Sequence, residues 1–328
     1  MTASIEHIIG DGRLGDSLRG GVVAIGNFDG VHRGHQAVLE RALAEAARRG
    51  VPALVLTFEP HPRIVFRPDV PLFILTPPAM KARILHKLGF AAMVEQTFTR
   101  EFASHSAETF VTEILVGRLG ISHAVTGFDF HFGKNRQGGP AFLMAAGERH
   151  GFGVTLVDAF RDEGAEVVSS SRIRALLGEG EVAEAAGLFG YRYTVEAEIV
   201  HGQRLGRTLG YPTANMRLPE NTALRHGIYA VRLRRADGVL HDGVASYGRR
   251  PTVTDDGAPL LETFVFDFSA DLYGEVCEVS FFGFLRGEEK FDGLDALVAQ
   301  MRRDDAEARA LLSGVEPLSA LDRAIAFA

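Results

Sequence analysis

The strongest constraint on the fold is a change in the pattern of apolar residues near residue 187 of this 328-residue chain. Before that point, short β-rich runs such as 21–26 and 52–58 alternate with longer helical patterns such as 36–49. Strands separated by helices of this length predict a parallel, doubly wound sheet, in which ligands bind beyond the carboxyl ends of the strands. We therefore predict a Rossmann-like α/β domain over residues 1–186.

The same pattern predicts the other elements of this domain. Further strands are expected at 91–95, 123–127 and 154–157, and further helices at 77–88, 106–119 and 140–150, with Ser106 as the N-cap of the second.

After residue 187 the pattern becomes a series of short alternating runs punctuated by glycine and proline. These runs lie at 193–200, 228–233, 239–245, 261–268 and 276–282. Several short strands with turn signals between them predict a small antiparallel β-barrel. An amphipathic pattern at 294–312 predicts a closing helix, so the second domain is expected to span 187–328.

Composition excludes several classes of protein. The net charge of −7 gives no basic field for nucleic acid, and there is no run of roughly 18 apolar residues that could span a membrane. Cys277 is the single cysteine, which rules out an intrachain disulfide and favours a small core residue. We expect a cytoplasmic protein with small-molecule substrates. The sequence leaves self-association open.

Residues 26–35 (GNFDGVHRGH) lie between the first predicted strand and the first predicted helix. Glycines let a ligand approach the backbone closely, and the free N–H groups of a helix N-terminus bind anions. His32 and His35 are three residues apart, so both imidazoles can face one point and stabilise charge on a transferring phosphoryl oxygen. Two alternatives are exposed loop histidines and a zinc site, although no third ligand lies nearby.

Residues 202–215 (GQRLGRTLGYPTAN) combine glycines, cations and side-chain oxygens in what reads as one loop. Glycine N–H groups can surround phosphates, and Thr213 and Asn215 offer neutral oxygens of the kind that Mg²⁺ accepts beside water and substrate phosphates. By composition alone, an ordinary hairpin loop is the favoured alternative.

The stretch 26–35 resembles the adenylyltransferase module of prokaryotic bifunctional riboflavin kinase/FAD synthetases, as do the stretches 57–63, 126–138 and 168–174. The resemblance implies catalytic roles for His32 and His35. It implies ATP or phosphate contacts by Gly26, Phe28, Asp29, Gly30, Ser170, Ser171, Arg172 and Arg174. It implies flavin contacts by Pro60, His61, Asp129 and Phe130.

The run Pro212-Thr-Ala-Asn215, preceded by Leu-Gly-Tyr, resembles the riboflavin kinase family. The resemblance implies that Thr213 and Asn215 hold Mg²⁺ with ATP and that Gly202 and Gly206 lie near its phosphates. The stretch 261–274 resembles the family's strand with a catalytic glutamate, which implies that Glu262 is the base or an orienting carboxylate. Alternation alone leaves open an outward-facing strand residue.

Five positions depart from the family pattern. Ser171 replaces the usual threonine, His131 stands where many relatives carry arginine, Phe264 where many carry histidine, and Ser246–Tyr247 replaces Asn-Ile.

The predicted function is phosphorylation of riboflavin to FMN in the second domain and adenylylation of FMN to FAD in the first, with ATP and Mg²⁺. One alternative keeps the kinase and gives the first domain another acceptor. Another is a non-enzymatic flavin-binding protein.

Overall fold

The computed structural model of the chain describes residues 5–12, 14–201, 211–249 and 259–327. The chain divides into two compact units, Met1–Ser170 and Ser171–Ala328. The boundary at 186/187 that we derive from the sequence pattern remains a prediction.

The first unit contains a six-stranded, entirely parallel sheet in the order β1-β4-β3-β2-β5-β6. The strands are β1 Glu6–Ile9, β2 Val22–Ile25, β3 Ala53–Glu59, β4 Ala92–Thr97, β5 His123–Gly127 and β6 Gly153–Val157. The predicted doubly wound α/β fold is therefore confirmed. The sequence pattern did not indicate β1, which lies at the edge of the sheet beside β4.

In the part of the first unit that the structure describes, five helices longer than three residues connect these strands. They are α1 Arg33–Arg49, α2 Pro62–Phe66, α3 Pro78–Leu88, α4, which begins as Ala107–Thr109 and continues as a wider π-type helix over Phe110–Arg118, and α5 Pro140–His150. Ser106 caps α4 by accepting a hydrogen bond from the Thr109 N–H, as predicted. Helix α1 begins three residues earlier than expected, because His32 caps it, and it ends at Gly50 in the left-handed conformation (φ 68°).

The core of this unit surrounds the central strand β2, whose four residues are all buried. Apolar side chains of β2, β3 and β4 pack against helix α4, including Ile25, Leu56, Val94 and Leu115. Burying each such side chain stabilises the fold by about 1.5–3 kcal/mol. The sheet is thus a rigid support for the loops at its carboxyl edge.

The second unit is a closed antiparallel barrel in the order β10-β11-β8-β7-β12-β9, which confirms the predicted barrel. Its strands are β7 Thr194–Val200, β8 Thr213–Arg217, β9 Gly227–Arg234, β10 Leu240–Gly248, β11 Leu260–Val265 and β12 Val276–Arg286. Its helices are α6 Ser170–Glu179, which begins at the last residue of the first unit, α7 Val182–Phe189, α8 Leu294–Ser313 and α9 Ala320–Ala326.

Alternate residues of the strands fill the barrel interior, among them Tyr229, Val231, Leu261 and Phe281, none of which is exposed. Cys277 is also fully buried, which confirms its predicted role as a small core residue. The intervening residues point outward, and on one side of the barrel they line a cavity.

Candidate functional site

The first candidate site is the loop between β2 and α1. Strand β2 lies between β3 and β5, and the chain continues from β2 to β3 and β4 on one side but to β5 and β6 on the other. The carboxyl end of β2 is therefore the topological switch point, where open α/β sheets bind ligands. The predicted motif 26–35 begins at this point.

Buried polar contacts hold this loop in a strained path. Phe28 (φ 48°) and Gly30 (φ 92°) both have positive φ. The Asp29 carboxylate is 3% exposed and accepts hydrogen bonds from the backbone N–H groups of Leu75 and Thr76, at 2.8 and 3.1 Å. The N–H of Gly30 donates to Thr76 Oγ1 at 2.8 Å. These bonds maintain a backbone conformation that would otherwise be unfavourable.

His32 and His35 lie together at the start of α1. Their rings are stacked, with centroids 3.6 Å apart and an interplanar angle of 17°. His32 Nδ1 accepts a hydrogen bond from the His35 backbone N–H at 3.3 Å, which places the proton of an uncharged His32 ring on Nε2. A Cβ at Gly34 would lie 3.2 Å from the His32 ring and 3.2 Å from the Val168 carbonyl oxygen, so glycine permits this close packing.

The surroundings of His35 favour its uncharged form. Burial lowers the pKa of His35 well below the usual value, and the charges of His32, Lys81 and His61 lower it further. The Nδ1 atom of this ring is buried without a hydrogen-bond partner, and Phe28 packs edge-on against the ring at 5.5 Å. An uncharged imidazole can donate one hydrogen bond and accept another.

Lys81 is a residue of this site that the motifs did not reveal. It is 4% exposed, and its Nζ donates to the Asn27 carbonyl oxygen at 2.9 Å and to Thr57 Oγ1 at 3.2 Å. The signal in the sequence is a charged residue on the apolar face of a helix, since Ile84 and Leu85 on α3 are fully buried.

The triple-serine segment reaches the loop through Ser170, whose Oγ donates to the Asp29 carbonyl oxygen at 2.8 Å. Helix α6 begins at Ser170, so only Ser169 of the three consecutive serines precedes it. Ser171, Arg172 and Arg174 follow on α6 and belong to the second unit. Their contact with phosphate remains a prediction.

The predicted flavin-contacting residues follow the two strands beside β2. Pro60 and His61 follow β3, and Asp129 and Phe130 follow β5, so both pairs leave the sheet at its carboxyl edge. His61 caps α2 with its ring, Asp129 is exposed, and Phe130 is half-buried with its ring stacked at 5.5 Å from that of Phe132.

His131, which departs from the family pattern, is exposed. Its Nδ1 lies 2.7 Å from the Asp129 carbonyl oxygen and 3.2 Å from Nη2 of Arg136. The Arg136 guanidinium therefore lies beside residue 131, the position where many relatives carry arginine.

A cluster of phenylalanine side chains near the ends of β3 and β5 was also missed. Ring centroids of neighbours in this cluster are 5.0–6.4 Å apart. Its members are Phe58, Phe98, Phe102, Phe110 and Phe132. The signal in the sequence that could have indicated such a cluster is the content of 23 phenylalanines and no tryptophan. Phe58, Phe110 and Phe132 belong to the buried core, and Phe98 and Phe102 are partly buried against it.

The second candidate site is a cavity of about 1160 Å³ in the second unit. Its walls come from β8, β10 and β11, from residues 268–273, and from the segment that leads into α8. Thr213, Asn215 and Glu262, all predicted as site residues, line it. The two predicted glycines, Gly202 and Gly206, lie outside the described residues.

Strand pairing brings the predicted kinase residues side by side. Glu262 on β11 is directly opposite Asn215 on β8 and Ser246 on β10, and Phe264 is opposite Thr213. Residues opposite each other in an antiparallel pair share one face of the sheet. Thr213 and Asn215 were expected in a loop; they lie instead on strand β8, which fixes their spacing relative to Glu262.

Asn215 carries an unused acceptor inside the cavity wall. The residue is 3% exposed, and its Nδ2 donates to the Thr213 carbonyl oxygen at 3.1 Å. Its Oδ1 is buried with no hydrogen-bond partner. A neutral oxygen of this kind fits a hard cation such as Mg²⁺. No cluster of three or more His, Cys, Asp or Glu side chains that could hold a metal ion occurs among the described residues.

The two departures in this unit have distinct surroundings. Phe264 lines the cavity and packs edge-on against Tyr211 at 4.7 Å. Ser246 also lines the cavity, whereas Tyr247 points into the barrel, where burial raises its pKa to about 12 and its hydroxyl donates to the Thr222 carbonyl oxygen.

An ion pair connects the barrel to α8 at the cavity wall. Arg286 donates from Nε and Nη2 to the two carboxylate oxygens of Asp304, at 2.8 and 2.7 Å. The carboxylate is 6% exposed and also accepts from Gln300. Helix α8 contributes Leu297 and Met301 to the lining, so this pair fixes an apolar wall.

The comparisons with known proteins agree with this division. The FAD synthetase family model matches residues 15–172, and the riboflavin kinase family model matches residues 189–312. A bifunctional riboflavin kinase/FMN adenylyltransferase from Listeria monocytogenes is 40% identical over 90% of this chain and 93% of its own length. This chain belongs to the bifunctional riboflavin kinase/FMN adenylyltransferase family.

Other proteins also match over most of the chain. The bifunctional riboflavin kinase/FMN adenylyltransferase of Escherichia coli is 37% identical over 91% of this chain and 95% of its own. A solved structure described as a macrolide-efflux protein from Streptococcus pneumoniae matches with a TM-score of 0.82 and 31% identity, covering 93% of this chain and 99% of its own. In the described part of our chain, no helix is long and apolar enough to cross a membrane.

Proposed function

We propose that this chain converts riboflavin to FMN and then FMN to FAD, with one ATP used at each of two separate sites. The observation that carries this proposal is that each family match falls on one unit that has its own constellation: the stacked histidines in one, and the Asn215–Glu262 pair in the other.

In the second unit, the cavity takes riboflavin with its ribityl chain directed toward Glu262. The Glu262 carboxylate accepts the proton of the terminal hydroxyl while that oxygen attacks the γ-phosphorus of ATP. The bond from the γ-phosphorus to the bridging oxygen breaks, and ADP leaves. The apolar wall formed with α8 excludes water, which would otherwise compete as acceptor.

In the first unit, a phosphate oxygen of FMN attacks the α-phosphorus of ATP, and the bond to the β-phosphate breaks with release of pyrophosphate. Such a transfer needs orientation and charge stabilisation more than covalent help. The α1 N-terminus and the N–H donors of His32 and His35 supply both, because they converge at the switch point.

Thr213 and Asn215 would hold Mg²⁺ together with ATP in the second unit, since Asn215 Oδ1 is an unused acceptor there. When bound, Mg²⁺ neutralises phosphate charge and orients the terminal phosphates. We further propose a cytoplasmic location, where ATP and riboflavin are both at hand. Self-association remains open.

A product time course with three proteins tests the proposal. Wild type given riboflavin, ATP and Mg²⁺ should form FMN and then FAD, as followed by chromatography. His35→Ala should accumulate FMN without FAD. Glu262→Gln should form neither from riboflavin but should convert added FMN to FAD and pyrophosphate.

Matched controls remove other histidine and glutamate side chains from each unit. His150→Ala changes an exposed histidine on α5, and Glu198→Gln changes an exposed glutamate on β7; both should retain both activities. If His35→Ala lost FMN formation as well, the assignment of one reaction to each unit would be wrong. Flavin binding without turnover in wild type would favour a non-enzymatic flavin-binding protein.

A further inference from the structure

Lys81 is a charged side chain in an apolar environment. It lies on α3 between Met80 and Ile84, both buried, and only 4% of it is exposed. Removing an ammonium from water is costly unless hydrogen bonds and opposite charges replace the water. The fold nevertheless keeps this charge at the carboxyl edge of the sheet, so its role is to be found in the contacts at that edge.

The contacts of Lys81 form a triangle. Its Nζ donates to the Asn27 carbonyl oxygen at 2.9 Å and to Thr57 Oγ1 at 3.2 Å, and Thr57 Oγ1 donates to the same carbonyl oxygen at 3.0 Å. The Asn27 carbonyl belongs to the peptide that leads into Phe28, where φ becomes positive. The triangle therefore ties the first turn of the β2–α1 loop to β3.

Charged and titratable groups from the β2–α1 loop and from four other elements surround this region. Burial lowers the pKa of Lys81. The carboxylates of Asp29 in the loop, Glu59 on β3 and Glu95 on β4 act in the opposite direction and favour the ammonium form. His32 and His35 on α1 and His61 at the start of α2 complete the set. The positive charge of Lys81 contributes to the uncharged state of His35.

We propose that Lys81 is a positioning residue for adenylyl transfer: its ammonium holds the Asn27–Phe28 peptide on β3 and so sets the path of the loop that carries His32 and His35. This role rests on the proposed FMN adenylyltransferase activity of the first unit. Lys81 acts through the loop and through its charge, without touching a reacting atom. A lysine that served only the packing of α3 would leave the pH dependence of the reaction unchanged.

The test uses the full-length chain with FMN, ATP and Mg²⁺. Lys81→Met keeps the length of the side chain and removes the charge. We expect kcat for FAD formation to fall by about 100-fold, the scale of a slightly misplaced catalytic group. FMN formation from riboflavin, measured on the same preparation, should stay within about two-fold, because the kinase site belongs to the other unit.

The pH profile separates positioning from packing. Without the positive charge, the His35 ring takes up a proton more easily, so the acid limb of kcat should move to higher pH in Lys81→Met. Lys81→Arg keeps the charge and should leave the limb near its wild-type position. The matched control Lys87→Met, at an exposed position near the end of α3, should match wild type in both readouts.

Two results would overturn the proposal. One is a kcat for FAD formation by Lys81→Met within about two-fold of the wild-type value. The other is a large loss of kcat in this variant while the acid limb of its pH profile stays where it is in wild type. If Lys81→Met lost both activities through misfolding, Lys81→Gln, which keeps a donor for the Asn27 carbonyl, is judged by the same two readouts. Failure of wild type itself to form FAD from FMN would refute the proposed function instead.

Discussion

Among the described residues, eight buried side-chain nitrogen or oxygen atoms have no hydrogen-bond partner, and three of them belong to the candidate sites: Asn27 Oδ1, His35 Nδ1 and Asn215 Oδ1. Leaving a buried donor or acceptor unpaired costs about 1–3 kcal/mol. Each of these three atoms belongs to one of the stretches that carry the family resemblance, 26–35 or 212–215. A ligand that completes their hydrogen bonds gains this energy on binding, which is how a site can be pre-formed at some cost to stability.

His35 also makes a prediction about pH. Because its pKa is lowered in the folded protein, the unfolded chain takes up a proton at this side chain below about pH 6.5 while the folded chain does not. Stability therefore falls as the pH drops, with a limiting slope of about 1.4 kcal/mol per pH unit for one proton. In His35→Asn this contribution disappears, so the first unit should lose less stability between about pH 6.5 and 5.

The two units can be followed separately in this experiment. All six tyrosines lie at or after Tyr191, and the chain has no tryptophan, so tyrosine fluorescence reports on the second unit alone. Urea denaturation followed by far-UV circular dichroism reports on the unfolding of both units. The part of the circular dichroism transition that tyrosine fluorescence does not follow is the unfolding of the first unit. Equal slopes for wild type and His35→Asn would show that His35 is not held uncharged.

At the scale of elements, the Arg286–Asp304 pair is expected to support the cavity wall. Asp304→Asn leaves the half-buried Arg286 guanidinium without its charged partner, which should cost at most about 3–5 kcal/mol of the stability of the second unit, the range for a fully buried pair. The loosened α8 should raise the KM for riboflavin while FAD formation from FMN is unaffected. Tyrosine fluorescence in urea and kinase assays measure the two effects.

The control is a second Arg–Asp pair, in which α8 supplies the arginine. Arg309 contacts Asp267, whose side chain is 81% exposed, and Asp267 has a positive φ of 54° that asparagine adopts readily. Asp267→Asn should therefore change stability and KM much less, because solvent screens an exposed pair. Equal effects of the two substitutions would mean that burial of the Asp304 carboxylate is unimportant.

The elements also show what the sequence could predict. Strands with several consecutive apolar residues, such as β2, and helices with a clear cap, such as α4, were predicted to within one or two residues. β1 was missed because it is a four-residue edge strand with one buried side chain. β8 was taken for loop because Pro212 and the glycines before it dominate the local composition, whereas pairing with β7 and β11 decides its conformation.

The candidate site was predictable where chemistry depends on local spacing. His32 and His35 lie one helical turn apart, so their stacking follows from the start of α1. Lys81 was not predictable, because its contacts join residues 24 and 54 positions away in the chain. The register that places Glu262 opposite Asn215 is likewise a property of the closed barrel, which no short motif contains.

At the scale of the whole molecule, the chain holds two sites whose proposed reactions follow one another, with FMN as the product of one and the substrate of the other. Each unit has its own core and its own constellation of site residues. If FMN is released between the two steps, the sites need not belong to the same chain. Two variants with complementary defects then make a direct test.

An equimolar mixture of His35→Ala and Glu262→Gln should form FAD from riboflavin, ATP and Mg²⁺, although neither variant does so alone. The first supplies FMN, which diffuses to the intact adenylyl-transfer site of the second, so FAD should appear after a lag that shortens as total protein rises. Wild type at the same concentration of sites should show the same lag if its own FMN also passes through solution. A shorter lag in wild type would show that FMN is passed on within one molecule, because only the linkage of the two units differs between the samples. No FAD from the mixture, with each variant active in its own half-reaction, would contradict release of FMN.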